Sequence, residues 1–400
     1  MSADIVINTE KSFDKKDEEQ YFYIPFDVPR GIQQISIALT HDKGNTIDLG
    51  LVFPDGTQNG ASGGRTKNIV IRESFATPGY TACVPVPGRW QVILGIYRVS
   101  GTGTAKLKIT LTPESESWLK GDTHVHTYNS DGRLSPTRII EKCEKKGFDF
   151  VFITDHNNCA AHRGNLMSER VSVLKGMELT LYAGHINLFG VDSPLTTPYC
   201  ACTDEQLAVL LRQAREKGAL VSLNHPECRL CGFHLDREAV APDCAEVWNG
   251  PMRTDNMDAL SWWHRQLLSG KRITAVGGSD YHRDYLFTDL LGLPVTAVLA
   301  KSRNSADILA AVKQGRCIVT SGVDGALTEL TYGDARIGDS TAFTTGTSVC
   351  VHVSNAVRGH ILRVYNNDTV ILSRRIDSSG KLDCECEVPE RGFVRAELPS

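Results

Sequence analysis

Residues 135–158 read SPTRIIEKCEKKGFDFVFITDHNN, and this stretch decides the fold of the chain's central region. Ser135 followed by Pro136 is a helix start. The serine caps, and proline at the first helical position lacks only an N–H that would have no partner there. Gly147 stands where a glycine ends a helix. The run FDFVFIT comes next, apolar and rich in β-branched and aromatic residues, and reads as a strand. Asp155 and His156 stand where it stops. A helix feeding a strand that ends in ionisable side chains is one unit of a β/α architecture.

The unit recurs on both sides, from about Trp118 to Gly322. RVSVLKGM, HINLFGV, ALVSLN, AEVWN and RITAVGG are further strand candidates. TDEQLAVLLRQAREKG, NMDALSWWHRQLLSG and SADILAAVKQG are further helices. Thr203 with Gln206 fits a capping box, and Gly218, Gly270 and Gly315 repeat the stop signal. Upstream, six short runs from YFYIPFDV to TAKLKITLTP are separated by turn signals such as Asp55-Gly56 and Pro87-Gly88. They predict a β-sandwich or jelly roll. Beyond residue 323 helical periodicity vanishes, and LTELTYG, SVCVHVS, HILRVYNN, TVILSRRI and FVRAEL predict a small β domain. The expected organisation is a multidomain α/β chain: a β-sandwich over 1–115, a β/α domain over 118–322 and a C-terminal β domain over 323–400.

The 400 residues carry a formal net charge of −4, and no basic stripe stands out. Long nucleic acid is therefore not an expected partner. The acidic, mixed N-terminus does not read as a signal peptide, and no stretch approaches the roughly 18 apolar residues of a membrane span. A cytoplasmic protein with no membrane partner is expected; homo-oligomerisation stays open. Twelve cysteines would in that compartment be free thiols or metal ligands. Cys384 and Cys386 alternate along one strand face and read as inert.

The chemistry starts at Asp122-Thr-His124-Val-His126. Residues two apart on a strand point the same way, so His124 and His126 can share one metal. Asp131 follows in Asn-Ser-Asp-Gly. His156 ends the next strand, and Glu178 the one after in Gly-Met-Glu. His185 opens Gly-His-Ile-Asn, His225 follows ALVSLN, and Asp280 and His282 lie beyond RITAVGG. In a β/α barrel, groups at strand C-termini converge on one face. Imidazoles mixed with carboxylates suit zinc, manganese or iron. Nine ligands exceed the needs of one ion, so two or three divalent metals are expected, with hydrolysis as the reaction class.

In order, HVH, SDG, TDHN, GHINLFG, NHP and GGSDYH resemble the motifs of the PHP (polymerase and histidinol phosphatase) superfamily. EVWNG, SWWHRQLLSGKRITAVGGSD and RCIVTSG are similar to words of its CehA/McbA-like branch. The resemblance covers about residues 118–322 and implies a distorted seven-stranded β/α barrel with a di- or trinuclear centre. It implies that His124, His126, Glu178 and Asp280 hold one metal. Glu178 would bridge to a second, with His185 and His225, and Asp131, His156 and His282 would hold a third. These nine side chains would act in catalysis through the water their metals activate.

Other groups admit two readings each. Asp155 could orient a ligating histidine through its free ring nitrogen or cap its strand. Asn157, Asn187, Asn224 and Asn249 could bind substrate or satisfy loop backbone. Arg133 and Arg283 could clamp a phosphate or form surface salt bridges. Cys200, Cys202, Cys228 and Cys231 flank the His225 strand and could staple a structural zinc or stay free. His162 and His234 could protonate a leaving group. The favoured function is hydrolysis of a small phosphate mono- or diester. A carboxylester or carbamate hydrolase on the same metals is the alternative, and a metal-stabilised binding protein is the third reading.

Overall fold

Ile35, Ile37 and Leu39 are buried along the strand Ile32–His41, while Ser36, Ala38 and Thr40 between them are not. That period of two makes a sheet with one apolar face. The computed structural model describes residues 3–64, 68–164, 166–286 and 288–399. In it this strand sits in a five-stranded antiparallel sheet, ordered Ile5–Asp14, Thr102–Pro113, Ile32–His41, Asn68–Arg72 and Phe75–Ala76. A second antiparallel sheet runs Gln20–Val28, Gly88–Arg98, Thr46–Val52 and Gln58–Ser62. Inward side chains of both, among them Leu49, Trp90 and Ile109, form one apolar cluster, the core of a sandwich. Trp90 Nε1 donates to the Val86 carbonyl at 2.8 Å, which satisfies the polar atom of this large core side chain.

The chain forms two compact units. The sandwich is Met1–Glu116 with Met167–Glu169 and Lys301–Asn304; the other comprises Ser117–Leu166, Arg170–Ala300 and Ser305–Ser400.

The second unit is built on a nine-stranded sheet. Its order is Thr274–Gly278, Cys244–Asn249, Leu220–Leu223, Gly184–Phe189, Ser172–Leu181, Phe150–Ile153, Ser117–Val125, Val295–Ala300 and Cys317–Thr320. Four of the pairings are parallel and four antiparallel. A seven-stranded β/α barrel is thus met only in coarse form, as a mixed and nearly closed sheet. One reason is local. Two residues separate Leu181 from Gly184, enough for a hairpin and far too few for the helical crossover that parallel strands need.

The sheet curls so that Ser117–Val125 meets the far edge. Val125 bridges Tyr281 in parallel, and Thr123 Oγ1 donates to the Gly277 carbonyl at 3.1 Å. Gly278 permits this approach, since a Cβ there would lie 2.5 Å from His124 Cβ. Helices Pro136–Lys146, Asp204–Glu216, Thr254–Leu268 and Ser305–Gln314 follow the expected punctuation. Ser135 Oγ accepts from Arg138 N–H, and Gly147 takes a left-handed φ of 76°. Thr203 caps as expected, but Gln206 reaches back to the N–H of Cys202 at 2.7 Å.

The C-terminal strands pair among themselves. Leu327–Tyr332, Ala335–Arg336, Ser348–Ala356 and Gly380–Glu387 make one sheet, and Ile361–Asn366, Thr369–Arg375 and Val394–Glu397 another. Val351, Val353, Leu362 and Val364 are buried between them. Among the described residues, no helix is long and apolar enough to cross a membrane.

Candidate metal centre

His124 lies near the end of the strand Ser117–Val125 and His126 follows directly after it, and both are fully buried. Backbone pairing brings the other strand ends beside them. His156 bridges Glu178 in parallel, His126 N–H donates to the Tyr281 carbonyl at 3.0 Å, and Asn224 N–H donates to the His185 carbonyl at 3.2 Å. Two of the predicted ligands sit in left-handed backbone, His225 at φ 29° and Asp280 at φ 52°. Such strain costs about 1–3 kcal/mol in a residue with a side chain and tends to collect at functional sites.

All nine predicted ligands converge. Glu178 is the hub. Its carboxylate oxygens lie 3.2 Å from His124 Nε2, 3.5 Å from His126 Nε2 and 2.6 Å from His156 Nδ1. They lie 3.2 Å from His185 Nδ1 and 3.6 Å from His225 Nε2. Asp280 Oδ1 stands 3.1 Å from His126 Nε2 and 3.4 Å from His124 Nε2. Asp131, the most exposed of the set, stands 3.1 Å from His282 Nε2 and 3.4 Å from His156 Nε2. The ligand atoms gather into three groups, each within 4.8 Å: His124, His126 and Asp280; Glu178, His185 and His225; and His126, Asp131, His156 and His282.

The residues fit divalent ions on two counts. First, His124 Nε2 and both ring nitrogens of His126 are buried with no hydrogen-bond partner among the described residues, which is costly unless something binds them. Second, the field is strongly negative. Burial pushes Glu178 and Asp280 up, but the surrounding histidines, His124 first, hold both well below the usual carboxylate range. Burial opposes protonation of His124, yet Asp280, Glu246 and Glu178 raise it well above an ordinary imidazole. A site that demands positive charge at its centre suits divalent metals.

Supporting groups orient the ligands. Glu246 Oε1 accepts from His124 Nδ1 at 2.7 Å, which turns Nε2 into the site. Its other oxygen accepts from His225 N–H at 2.9 Å and Asn249 Nδ2 at 3.0 Å. His282 Nδ1 donates to the Asp280 carbonyl at 2.8 Å, and Asn224 Nδ2 donates to Glu178 at 2.7 Å. Asp122, fully buried, accepts from the N–H groups of His124, Ser279 and Gly292 and from the Ser279 hydroxyl. Burial pushes it up to about 6 against those bonds. Glu246 and Asp122 were missed at the sequence level. The signal was available: a charge inside an apolar strand run must find a partner once buried.

Where the sequence left two readings open, the contacts choose between them. Asp155 orients no ligating histidine; it accepts from Thr127 N–H and hydroxyl, both at 2.7 Å, and from the Ser130 hydroxyl at 2.8 Å. It fixes the loop that carries Asp131. Asn157 is occupied by the backbone of Thr180 on both sides. Asn249 serves Glu246, and Asn187 is buried with its amide unpartnered. His162 Nε2 pairs with the Gly176 backbone, which ties it to the sheet instead of to a leaving group. His234 is exposed. Arg133 and Arg283 are both exposed. Arg133 N–H bonds the His282 carbonyl, and Arg283 lies over the Tyr285 ring. Among the described residues the four-thiolate staple does not assemble: Cys228 and Cys231 group with His225, while Cys200 and Cys202 join no such group.

Comparison with known proteins finds partial likenesses. A stretch of 53 residues is 40% identical to the DNA polymerase/3'-5' exonuclease PolX of Bacillus subtilis (strain 168), covering 13% of this chain and only 9% of that protein. A two-domain protein of Bacteroides vulgatus, described as containing a PHP-like metal-dependent phosphoesterase, aligns with a TM-score of 0.44 at 19% identity, over 70% of this chain and 88% of its own. A structure from Bifidobacterium adolescentis, named for a metal-dependent phosphoesterase, aligns with a TM-score of 0.35 at 17% identity, over 48% and 96%. These scores are too low to carry an argument. The PHP domain model itself matches residues 122–228, which hold seven of the nine converging side chains, and through this segment the chain carries a PHP domain.

Proposed function

We propose that the chain is a metal-dependent phosphoesterase that hydrolyses a small phosphate mono- or diester. The observation that supports it most is the gathering of nine ionisable side chains, with five histidines around Glu178 and with His124 Nε2 and the His126 ring nitrogens buried and unpartnered among the described residues. Within the PHP superfamily we place it in the CehA/McbA-like branch, on the EVWNG and GGSD words. Two or three divalent ions, zinc, manganese or iron, would supply Lewis acidity and activate water there. His124, His126 and Asp280 would hold one of them; Glu178 would share the second with His185 and His225; Asp131, His156 and His282 would hold a third.

The protein's own contribution is orientation. Glu246 fixes the His124 ring, the Asp280 carbonyl fixes His282, and Asp155 holds the Asp131 loop. Arg133 and Arg283, exposed and within two residues of Asp131 and His282 in the sequence, would favour an anionic substrate if they reach the centre. The test is turnover of phosphorylated metabolites and aryl phosphates by metal-loaded protein, abolished by a chelator and restored by manganese or zinc. Silence on phosphates with turnover of aryl acetates or carbamates would transfer the assignment to a carboxylester hydrolase. Silence on all of them at full metal occupancy would refute hydrolysis.

A further inference from the structure

His225 carries a partner unlike those of the other histidines. His124 and His282 direct Nδ1 to oxygen acceptors, whereas His225 Nδ1 faces Cys231 Sγ at 3.5 Å. Cys231 Sγ in turn lies 2.9 Å from Cys228 Sγ. Both thiols are half-buried and therefore reachable by a small solute.

The loop that carries them is held in place. Cys228 N–H donates to the His225 carbonyl at 2.9 Å, Gly232 N–H to the Cys228 carbonyl at 2.8 Å, and Phe233 N–H to the Pro226 carbonyl at 3.1 Å. A Cβ at Gly232 would fall 2.4 Å from the Cys228 carbonyl oxygen, so the turn needs glycine. Arg237 Nη2 clamps the loop from outside through the Pro226 carbonyl at 2.7 Å.

Two uses compete for a C-x-x-C pair beside an imidazole. Two thiolates sharing a tetrahedral zinc stand about 3.8 Å apart, given bonds of roughly 2.3 Å. The sulfurs here are nearer than that, too close for two ligands of one such zinc.

We propose that Cys228 and Cys231 are an oxidisable dithiol: reduced, Cys231 positions His225 by accepting from Nδ1–H; oxidised, the disulfide withdraws that acceptor. The inference rests on the reading of His225 as a metal ligand. One molecule of hydrogen peroxide suffices. The first thiol attacks a peroxide oxygen, giving a sulfenic acid and one water. The second thiol then attacks that sulfur, forming the S–S bond and releasing the other water. Each cysteine sulfur loses one electron and each thiol its hydrogen.

The experiment uses the metal-loaded full chain, reduced with a phosphine and then given equimolar peroxide. Trypsin cuts after Arg229, between the two cysteines, so the disulfide leaves peptides 218–229 and 230–237 joined. The joined pair should appear, metal affinity should fall about tenfold or more, as when an orienting partner is removed, and dithiothreitol should reverse both. Cys228→Ser keeps the Cys231 contact but cannot close the bond, so its peroxide effect on metal affinity should shrink below twofold. A metal-loaded protein that never yields the joined peptides would overturn the dithiol. Joined peptides with unmoved metal affinity would overturn its link to His225. Loss of one tightly bound metal from reduced Cys228→Ser would show a thiolate metal site instead. Joined peptides in a protein that binds no metal would refute the metal centre and leave the disulfide standing.

Discussion

Glu246→Gln tests how the site sets its ligands. Three donors converge on the Glu246 carboxylate: His124 Nδ1 at 2.7 Å on one oxygen, with His225 N–H at 2.9 Å and Asn249 Nδ2 at 3.0 Å on the other. Glutamine keeps the shape but offers one acceptor and one donor group. Its oxygen belongs where two donors point, which turns its NH2 toward His124. His124 must then either move its proton to Nε2, which faces Glu178 and Asp280, or leave two buried donors facing each other. A protonated Nε2 cannot bind a metal. An unsatisfied buried donor costs about 1–3 kcal/mol, and 1.4 kcal/mol is roughly a factor of ten. Metal affinity should therefore fall about 10- to 100-fold, with kcat falling at sub-saturating metal and recovering in part when metal is raised. Competition against a chromophoric chelator measures the first, and steady-state kinetics across a metal titration the second. Metal affinity and kcat both within twofold of the parent would refute the claim that Glu246 orients His124.

Three further outcomes follow from other contacts. Gly278→Ala places a Cβ 2.5 Å from His124 Cβ and 2.8 Å from its backbone nitrogen; the strand must shift, with a cost of about 1–3 kcal/mol seen as a lower denaturant midpoint and as weaker metal binding. Asp155→Asn turns into an NH2 one oxygen of a carboxylate that accepts three hydrogen bonds from Thr127 and Ser130, leaving at least one of those donors facing a donor. It should cost about 1–3 kcal/mol of stability in urea unfolding, and it should weaken the metal held by Asp131 more than that held by His185; equal loss at both would count against a role in placing the Asp131 loop. Arg133→Ala and Arg283→Ala should each raise KM for a phosphate ester several-fold with kcat little changed, because exposed cations contribute binding in both ground and transition states; an unchanged KM would remove these arginines from the substrate path.

The parts of this molecule that read easily from sequence obey short-range rules. Ser135-Pro136, Gly147 and FDFVFIT needed only capping, stop signals and composition, and the helix and strand lie where those rules put them. The ligand motifs read for a similar reason, since two residues apart on one strand is a local statement. What stayed hidden was long-range. Closure of the sheet depends on Asp122 meeting Ser279, 157 residues away, and Glu246 meets His124 across 122. The hairpin at Tyr182-Ala183 makes one pairing antiparallel, a departure from regular β/α alternation that the family resemblance did not specify.

The choice between the two readings of Asp155 has a sharper cause. Asp155 and His156 are neighbours, and neighbours in extended chain point to opposite sides. His156 turns to Glu178 and Asp131, so Asp155 has to face elsewhere, and it meets Thr127 and Ser130. The same alternation works in favour of Glu246. It is two residues from Cys244 and between the outward apolar residues Ala245 and Val247, on a strand whose parallel neighbour Leu220–Leu223 ends just before His225. An acid placed by period two on the inner face of a strand beside a metal motif pairs with that motif's ring N–H, its adjacent backbone and, here, the Asn249 amide. Orienting a ligand is then the role that its burial leaves open.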